Sequence, residues 1–298
     1  MNKADCYIAF AGKEATQKMV EALNTNALTN RIFVISPEKI EIPCAEILMS
    51  EHPHSSETIR QIAGTTTSPF ALLLLNETFV LPGQYAVERI IRTAENTGAS
   101  MVYADYREVK NGTETLHPVI DYQQGSLRDD FNFGPAQLFR AEVLKSFDEE
   151  DFGFAGYYAL QLHASREGTV LRIPEFLFSM AETDLRKSGE KQFDYVSSAA
   201  RNKQLEMEKA CTNHLKKIGA FLSPPFQEVN LKEENWQVEA SVIIPVRNRA
   251  KTIKDAVESV IIQKTNFWFN LIVVDNHSTD GTTEILEKYA KQGMLIHL

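Results

Sequence analysis

The chain has 298 residues, 43% of them hydrophobic and 24% charged, with a formal net charge of −9. This is the composition of an ordinary folded protein, long enough for one large domain or two smaller ones. The acidic balance argues against a nucleic-acid partner, because phosphate recognition rests on clustered Lys and Arg. Apolar runs such as 70–75 are too short to span a bilayer, and the first residues lack the apolar region of a signal peptide. A cytoplasmic protein without a transmembrane segment is expected, with peripheral association at the inner membrane face left open. Cys6, Cys44 and Cys211 are odd in number, widely spaced and without a C-x-x-C pair, which fits reduced thiols.

In chain order, residues 5–180 alternate strand and helix signals, as an α/β domain does. Residues 6–11 read as a buried strand, followed by a helix with Ala15, Met19, Ala22 and Leu23 on one face. Residues 32–35 form a second strand stopped by Ser36-Pro37, and 47–49 a short third. Ile59, Ile62 and Ala63 mark a helix. Residues 70–75 are the most apolar strand and belong at the centre of a sheet. Val87, Ile90, Ile91 and Ala94 give a helix closed by Gly98, in the position a C-terminal cap prefers. Strands are expected at 101–103, 137–139 and 170–173, with a helix at 157–165. From 197 to 218 a charged helix carries Met207, Cys211, Leu215 and Ile218 on one face, ended by Gly219. The segment 221–237 has no periodicity and reads as a linker. The organisation expected is a first domain over 1–185, a helical linker over 186–238 and a second domain beginning at 239.

That second domain opens with Ala240-Ser-Val-Ile-Ile-Pro-Val-Arg-Asn-Arg249, then an amphipathic helix, then Leu271-Ile-Val-Val-Asp-Asn-His-Ser-Thr-Asp-Gly-Thr282. Strand, polar turn, helix and a strand ending in Asp275 make a βαβ unit with an acid at its carboxyl edge, where open parallel sheets bind nucleotides. The pair of segments resembles the start of family 2 inverting glycosyltransferases. The resemblance implies a GT-A fold, a mainly parallel sheet with flanking helices that binds nucleotide-diphospho-sugars. It also implies transfer from such a donor to a saccharide or lipid-linked acceptor in cell-surface glycan synthesis, with Mg²⁺ or Mn²⁺. Asp275 and Asn276 would meet the base, and Pro245, Arg247 and Asn248 would line the cleft. Asp280 reads as the N-cap of the helix starting at Gly281, with Glu284 in its first turn. The chain stops inside what would be the third strand, so the metal ligands and catalytic base of this domain are expected beyond Leu298.

Residues 5–180 resemble a divergent copy of the same fold, on the strength of Phe70-Ala-Leu-Leu-Leu-Leu-Asn-Glu-Thr-Phe-Val-Leu-Pro-Gly83 and three later segments. Its site is poor. Where the family carries Asp-x-Asp it has Asn76-Glu77-Thr78, and its second strand ends in Ser36-Pro37 rather than Asp. Where an acidic pair opens the late helix it has Gly156-Tyr157. A hard divalent cation prefers carboxylate oxygens, so the copy is expected to be catalytically silent. The alternative is a non-catalytic carbohydrate- or nucleotide-binding or assembly module. His52-Pro-His54 reads as a solvated loop, Arg128-Asp129-Asp130 as a charged turn, and the tyrosines 103, 106, 122, 157 and 158 as packing residues.

Overall fold

The computed structural model describes residues 2–110, 112–125, 127–181, 198–227 and 237–298. Of the expected linker, 186–197 and 228–236 therefore lie outside the described residues. The chain forms two compact units, Met1–Leu222 and Ser223–Leu298.

In the first unit, β1 (Ala4–Ala9) pairs in parallel with β2 (Thr29–Ser36) and β4 (Phe70–Leu74), and β2 with β3 (Glu46–Met49). Every residue of β1 and β4 is buried, as strands covered on both faces must be. Beyond β4 the sheet turns mixed. β8 (Gln137–Arg140) runs antiparallel to both β4 and β6 (Met101–Lys110), and β6 runs parallel to β9 (Val170–Ala181). β5 (Val80–Pro82) closes the edge beside β9, and β7 (Thr113–His117) pairs with β6. Among the described residues the strand order is β3-β2-β1-β4-β8-β6-β9-β5, with β4 near the middle as expected.

Helices α1 (Lys13–Asn24), α2 (Ser56–Thr65), α3 (Ala86–Thr97), α4 (Ala141–Lys145) and α5 (Gly156–Glu167) cover the sheet. Ser55 caps α2 by accepting from the Thr58 N–H at 3.2 Å, and Gly98 ends α3 in the left-handed conformation (φ 72°). The buried face of α1 differs from the expected one. It carries Thr16, Met19, Val20 and Leu23, because the Thr16 hydroxyl accepts the Ala11 N–H at 3.0 Å and turns inward. Residues 80–82, at the Leu-Pro-Gly segment, pair with β9, and α3 begins at Ala86.

Asp5, fully buried on β1, ties this framework together. Its carboxylate accepts from the N–H groups of Thr67 (2.7 Å) and Ser68 (2.9 Å), both hydroxyls of those residues, and Asn30 Nδ2 (2.9 Å). Burial works against its charge, but these donors outweigh it and hold the carboxyl below the ordinary range.

Helix α6 (Ser198–Lys217) packs on α5. Met207 and Cys211 lie against the core as expected. Ile218 lies past the end of the helix and is 46% exposed, and the buried positions are instead Ala210 and His214. An ionic network holds the contact. Glu149 pairs with Arg166 and with Lys217 Nζ (2.7 Å), while Arg166 Nη1 meets His214 Nδ1 at 2.8 Å.

In the second unit, β10 (Ala240–Val246), β11 (Phe269–Asp275) and β12 (Ile296–His297) form a parallel sheet. Helices α7 (Ile253–Ile261) and α8 (Thr282–Lys291) bury Ile253, Val257 and Leu286 against Val246, Leu271 and Val273. Alternate β10 residues Ser241, Ile243 and Pro245 face away from that cluster and are exposed.

Candidate functional site

The β10–β11 register pairs Val246 with Asp275, so both strands deliver their following turns to the same carboxyl edge. The turns then interlock. The Asn276 N–H donates to the Val246 carbonyl at 2.8 Å, and the Asn248 N–H to Ser278 Oγ at 2.9 Å. Asn248 Oδ1 accepts the Thr279 N–H at 2.8 Å, and Asp280 Oδ2 accepts the Ala250 N–H at 3.0 Å. Asn248 (φ 53°) and His277 (φ 54°) are left-handed, a conformation Asn tolerates through its short polar side chain.

Asp275 is the hub of this edge. Oδ1 accepts from the Ser278 N–H (3.1 Å) and hydroxyl (2.5 Å), and Oδ2 from the Thr283 hydroxyl (2.5 Å). These bonds, the two hydroxyls first, hold the carboxyl below the ordinary range. Its side chain is 5% exposed, and His297 Nε2 lies 3.8 Å from Oδ2. A carboxylate offers about four acceptor positions, so one remains beyond the three bonds. Around it Pro245, Arg247 and Asn276 are exposed. The residues expected from sequence thus divide: Asp275 and Asn248 frame the edge, while Pro245, Arg247 and Asn276 form its accessible surface. Sequence reasoning misses Ser278 and Thr283, although the spacing of hydroxyls after an Asp at a strand end is a readable turn signal. Asp280 takes the Thr282 N–H at 3.1 Å, a cap made one position earlier than a true N-cap, since Gly281 occupies that place.

The corresponding edge of the first unit is built differently. Asn76-Glu77-Thr78 follows β4, with the Thr78 hydroxyl donating to the Ala181 carbonyl at 3.0 Å. Among the described residues, no group of three or more His, Cys, Asp or Glu side chains is placed to hold a metal ion. Of the three residues that follow β4, Glu77 carries the one carboxylate, and a hard divalent cation prefers carboxylate oxygens.

Gly156, where the resembled motif would carry an acid, is locked by its neighbours. A Cβ there would overlap Ser56 N and Ser55 C and reach to 2.7 Å from Ser56 Cα. The Ser56 N–H donates to the Phe152 carbonyl (2.8 Å) and the Tyr157 N–H to the His54 carbonyl (2.9 Å), so the starts of α2 and α5 are zipped together. A carboxylate does reach the start of α5, but from α6: Glu206 accepts the N–H groups of Phe154 (2.7 Å) and Ala155 (3.1 Å).

His54 is not the solvated residue expected from sequence. Its Nε2 lies 3.1 Å from the Leu75 carbonyl, its ring stacks on Tyr157 at 5.3 Å, and burial holds the imidazole below its ordinary range. The tyrosines behave as packing residues, Tyr103 meeting Phe133 edge-on at 5.0 Å, and Arg128 pairs with Asp130 in an exposed turn.

Among the described residues, a nine-stranded mixed sheet with flanking helices and a second parallel unit define an α/β protein of the GT-A type. Residues 1–349 of TarS from S. aureus, solved in complex with UDP, share the fold at 9% identity, with 71% of this chain and 65% of that chain covered and a TM-score of 0.51. Glucosyl-3-phosphoglycerate synthase from Mycobacterium tuberculosis, solved with Mn²⁺, UDP and glucosyl-3-phosphoglycerate, matches at 10% identity over 70% of this chain and 80% of that one, TM-score 0.48. Residues 241–298 match the glycosyl transferase family 2 model. The chain is similar to a Bacillus subtilis (strain 168) protein named as a putative teichuronic acid biosynthesis glycosyltransferase, TuaG, with 44% identity over 64 residues. That match covers 22% of this chain, and the chain spans about a quarter of the length of that relative.

Proposed function

We propose that the chain is part of a glycosyltransferase that moves a sugar from a nucleotide-diphosphate donor to a saccharide or lipid-linked acceptor in cell-surface glycan synthesis. The observation that carries this reading is the pair of interlocked turns at one carboxyl edge, Val246 in register with Asp275. Asp275 keeps one acceptor position for a base N–H, Asn276 adds an amide, and Arg247 supplies positive charge toward phosphate. The family match over 241–298 and the name of the Bacillus relative support the same activity and the cell-surface setting. Mg²⁺ or Mn²⁺ is the cation expected for the whole enzyme. No helix among the described residues is long and apolar enough to cross a membrane, which is compatible with work at the cytoplasmic face.

In this reading the first unit is catalytically silent. Its Asn76-Glu77-Thr78 offers one carboxylate, and Gly156 leaves no room for an acid at the start of α5. Isothermal titration and amide NMR of the whole chain with UDP, with and without Mg²⁺, test the proposal. Expected are shifts at 246–249 and 275–277, weakened by Arg247→Ala and Asn276→Ala. Shifts confined to the first unit, or none at all in the folded chain, would refute it.

A further inference from the structure

A cavity of about 370 Å³ opens in the first unit between the residues following β4, the 51–54 loop, Phe154 and Lys203 of α6. Part of its wall is anchored by contacts within the unit. His54 is held on the Leu75 carbonyl and against Tyr157, and Glu206 pins the backbone of Phe154 and Ala155. The His52 ring leans on Phe154 at 5.3 Å, yet Phe154 stays 40% exposed and presents an aromatic surface to the space.

The chemistry of the lining selects among occupants. Among the described residues that line it, Glu51 and Glu77 supply two carboxylates against the ammonium of Lys203, and burial keeps His54 in its neutral form. That balance repels a diphosphate. The volume lies near the small end of the roughly 300–1,000 Å³ typical of ligand pockets, closer to one or two sugar rings than to a nucleotide-sugar. A pyranose has an apolar C–H face that suits an aromatic ring, and hydroxyls that suit amide, carboxylate and ammonium groups.

We propose that this cavity is a metal-independent saccharide site, taking one or two neutral sugar residues of a glycan through Phe154 and the polar groups of Asn76, Glu77 and Lys203. It rests on the reading of the first unit as catalytically silent, and under it that unit holds a glycan chain while transfer occurs elsewhere.

The test uses the whole 298-residue chain, titrated by amide NMR with maltose, cellobiose and N,N′-diacetylchitobiose, and separately with UDP plus Mg²⁺. At least one disaccharide is expected to shift Asn76, Glu77 and Phe154 with a Kd of about 1 mM. Phe154→Ala should weaken this at least about tenfold, and Phe154→Tyr should restore it. Because Glu206 holds main-chain N–H groups, both variants keep that anchor. No shift with any disaccharide at about 10 mM, or shifts indifferent to Phe154→Ala, would overturn the site while leaving the silent reading intact. Mg²⁺-dependent UDP binding at these same amides would overturn both.

Discussion

Replacing Asp275 by alanine separates two jobs that a carboxylate at this edge can do. In the structure it accepts three hydrogen bonds, from the Ser278 N–H, the Ser278 hydroxyl and the Thr283 hydroxyl, with 5% of its side chain exposed. Bonds to a charged partner contribute about 1.5–3 kcal/mol each, but both hydroxyls can turn to water once the carboxylate is gone. The net loss is then about 2–4 kcal/mol. The turn it organises also carries Ser278, Thr279 and Asp280, which hold Asn248 and Ala250, so the loss should spread to both turns. Amide hydrogen exchange in β10 and β11 reads this directly: protection should fall by about 30- to 700-fold in Asp275→Ala. Asp275→Asn keeps an acceptor at one oxygen and should lose less. If exchange is unchanged in Asp275→Ala while UDP binding disappears, the carboxylate serves the ligand alone, and its framing role is refuted.

Two further outcomes follow from the first unit. Gly156→Ala forces a methyl group into the backbone of Ser55 and Ser56 and should cost about 3 kcal/mol, measured by urea unfolding; an unchanged midpoint would contradict the close approach of α2 and α5. The pH dependence has a defined sign. Burial, and for His163 and His214 the adjacent Arg166 guanidinium as well, holds the imidazoles of His54, His163 and His214 below their ordinary 6.5. The unfolded chain takes up protons below that value before the folded chain does. Stability is therefore full above 6.5 and declines as pH falls through the window beneath it. The urea midpoint should drop between about pH 7.5 and about pH 5.5, and a flat or rising midpoint would count against neutral buried histidines.

Much of the fold was legible because local signals agreed with the tertiary environment. β4 is five apolar residues in a row, which suits only a strand covered on both faces, and the α3 stripe ends at a glycine that adopts the left-handed cap. Elements whose existence depends on a distant partner were not legible. β7 is exposed along nearly its whole length and has no apolar alternation; it is a strand because β6 offers it an edge. β6 and β9 run far past their expected ends because each supplies the other's hydrogen bonds. The α1 face differs from expectation since a threonine whose hydroxyl finds a main-chain donor can be buried.

Residue order alone was enough for the alternation of strands and helices, the likeness of residues 241–298 to family 2 glycosyl transferases, and the absence of an acidic pair from the first unit's late helix. Those features are local: apolar periodicity, turn chemistry and residue identity are written along the chain. Tertiary structure decided that Asp275 spends three acceptor positions on its own turn, that Glu206 from α6 reaches the start of α5, and that Gly156 cannot carry a side chain. Each depends on atoms from separate segments meeting within a few ångströms, and only the packed fold sets those distances.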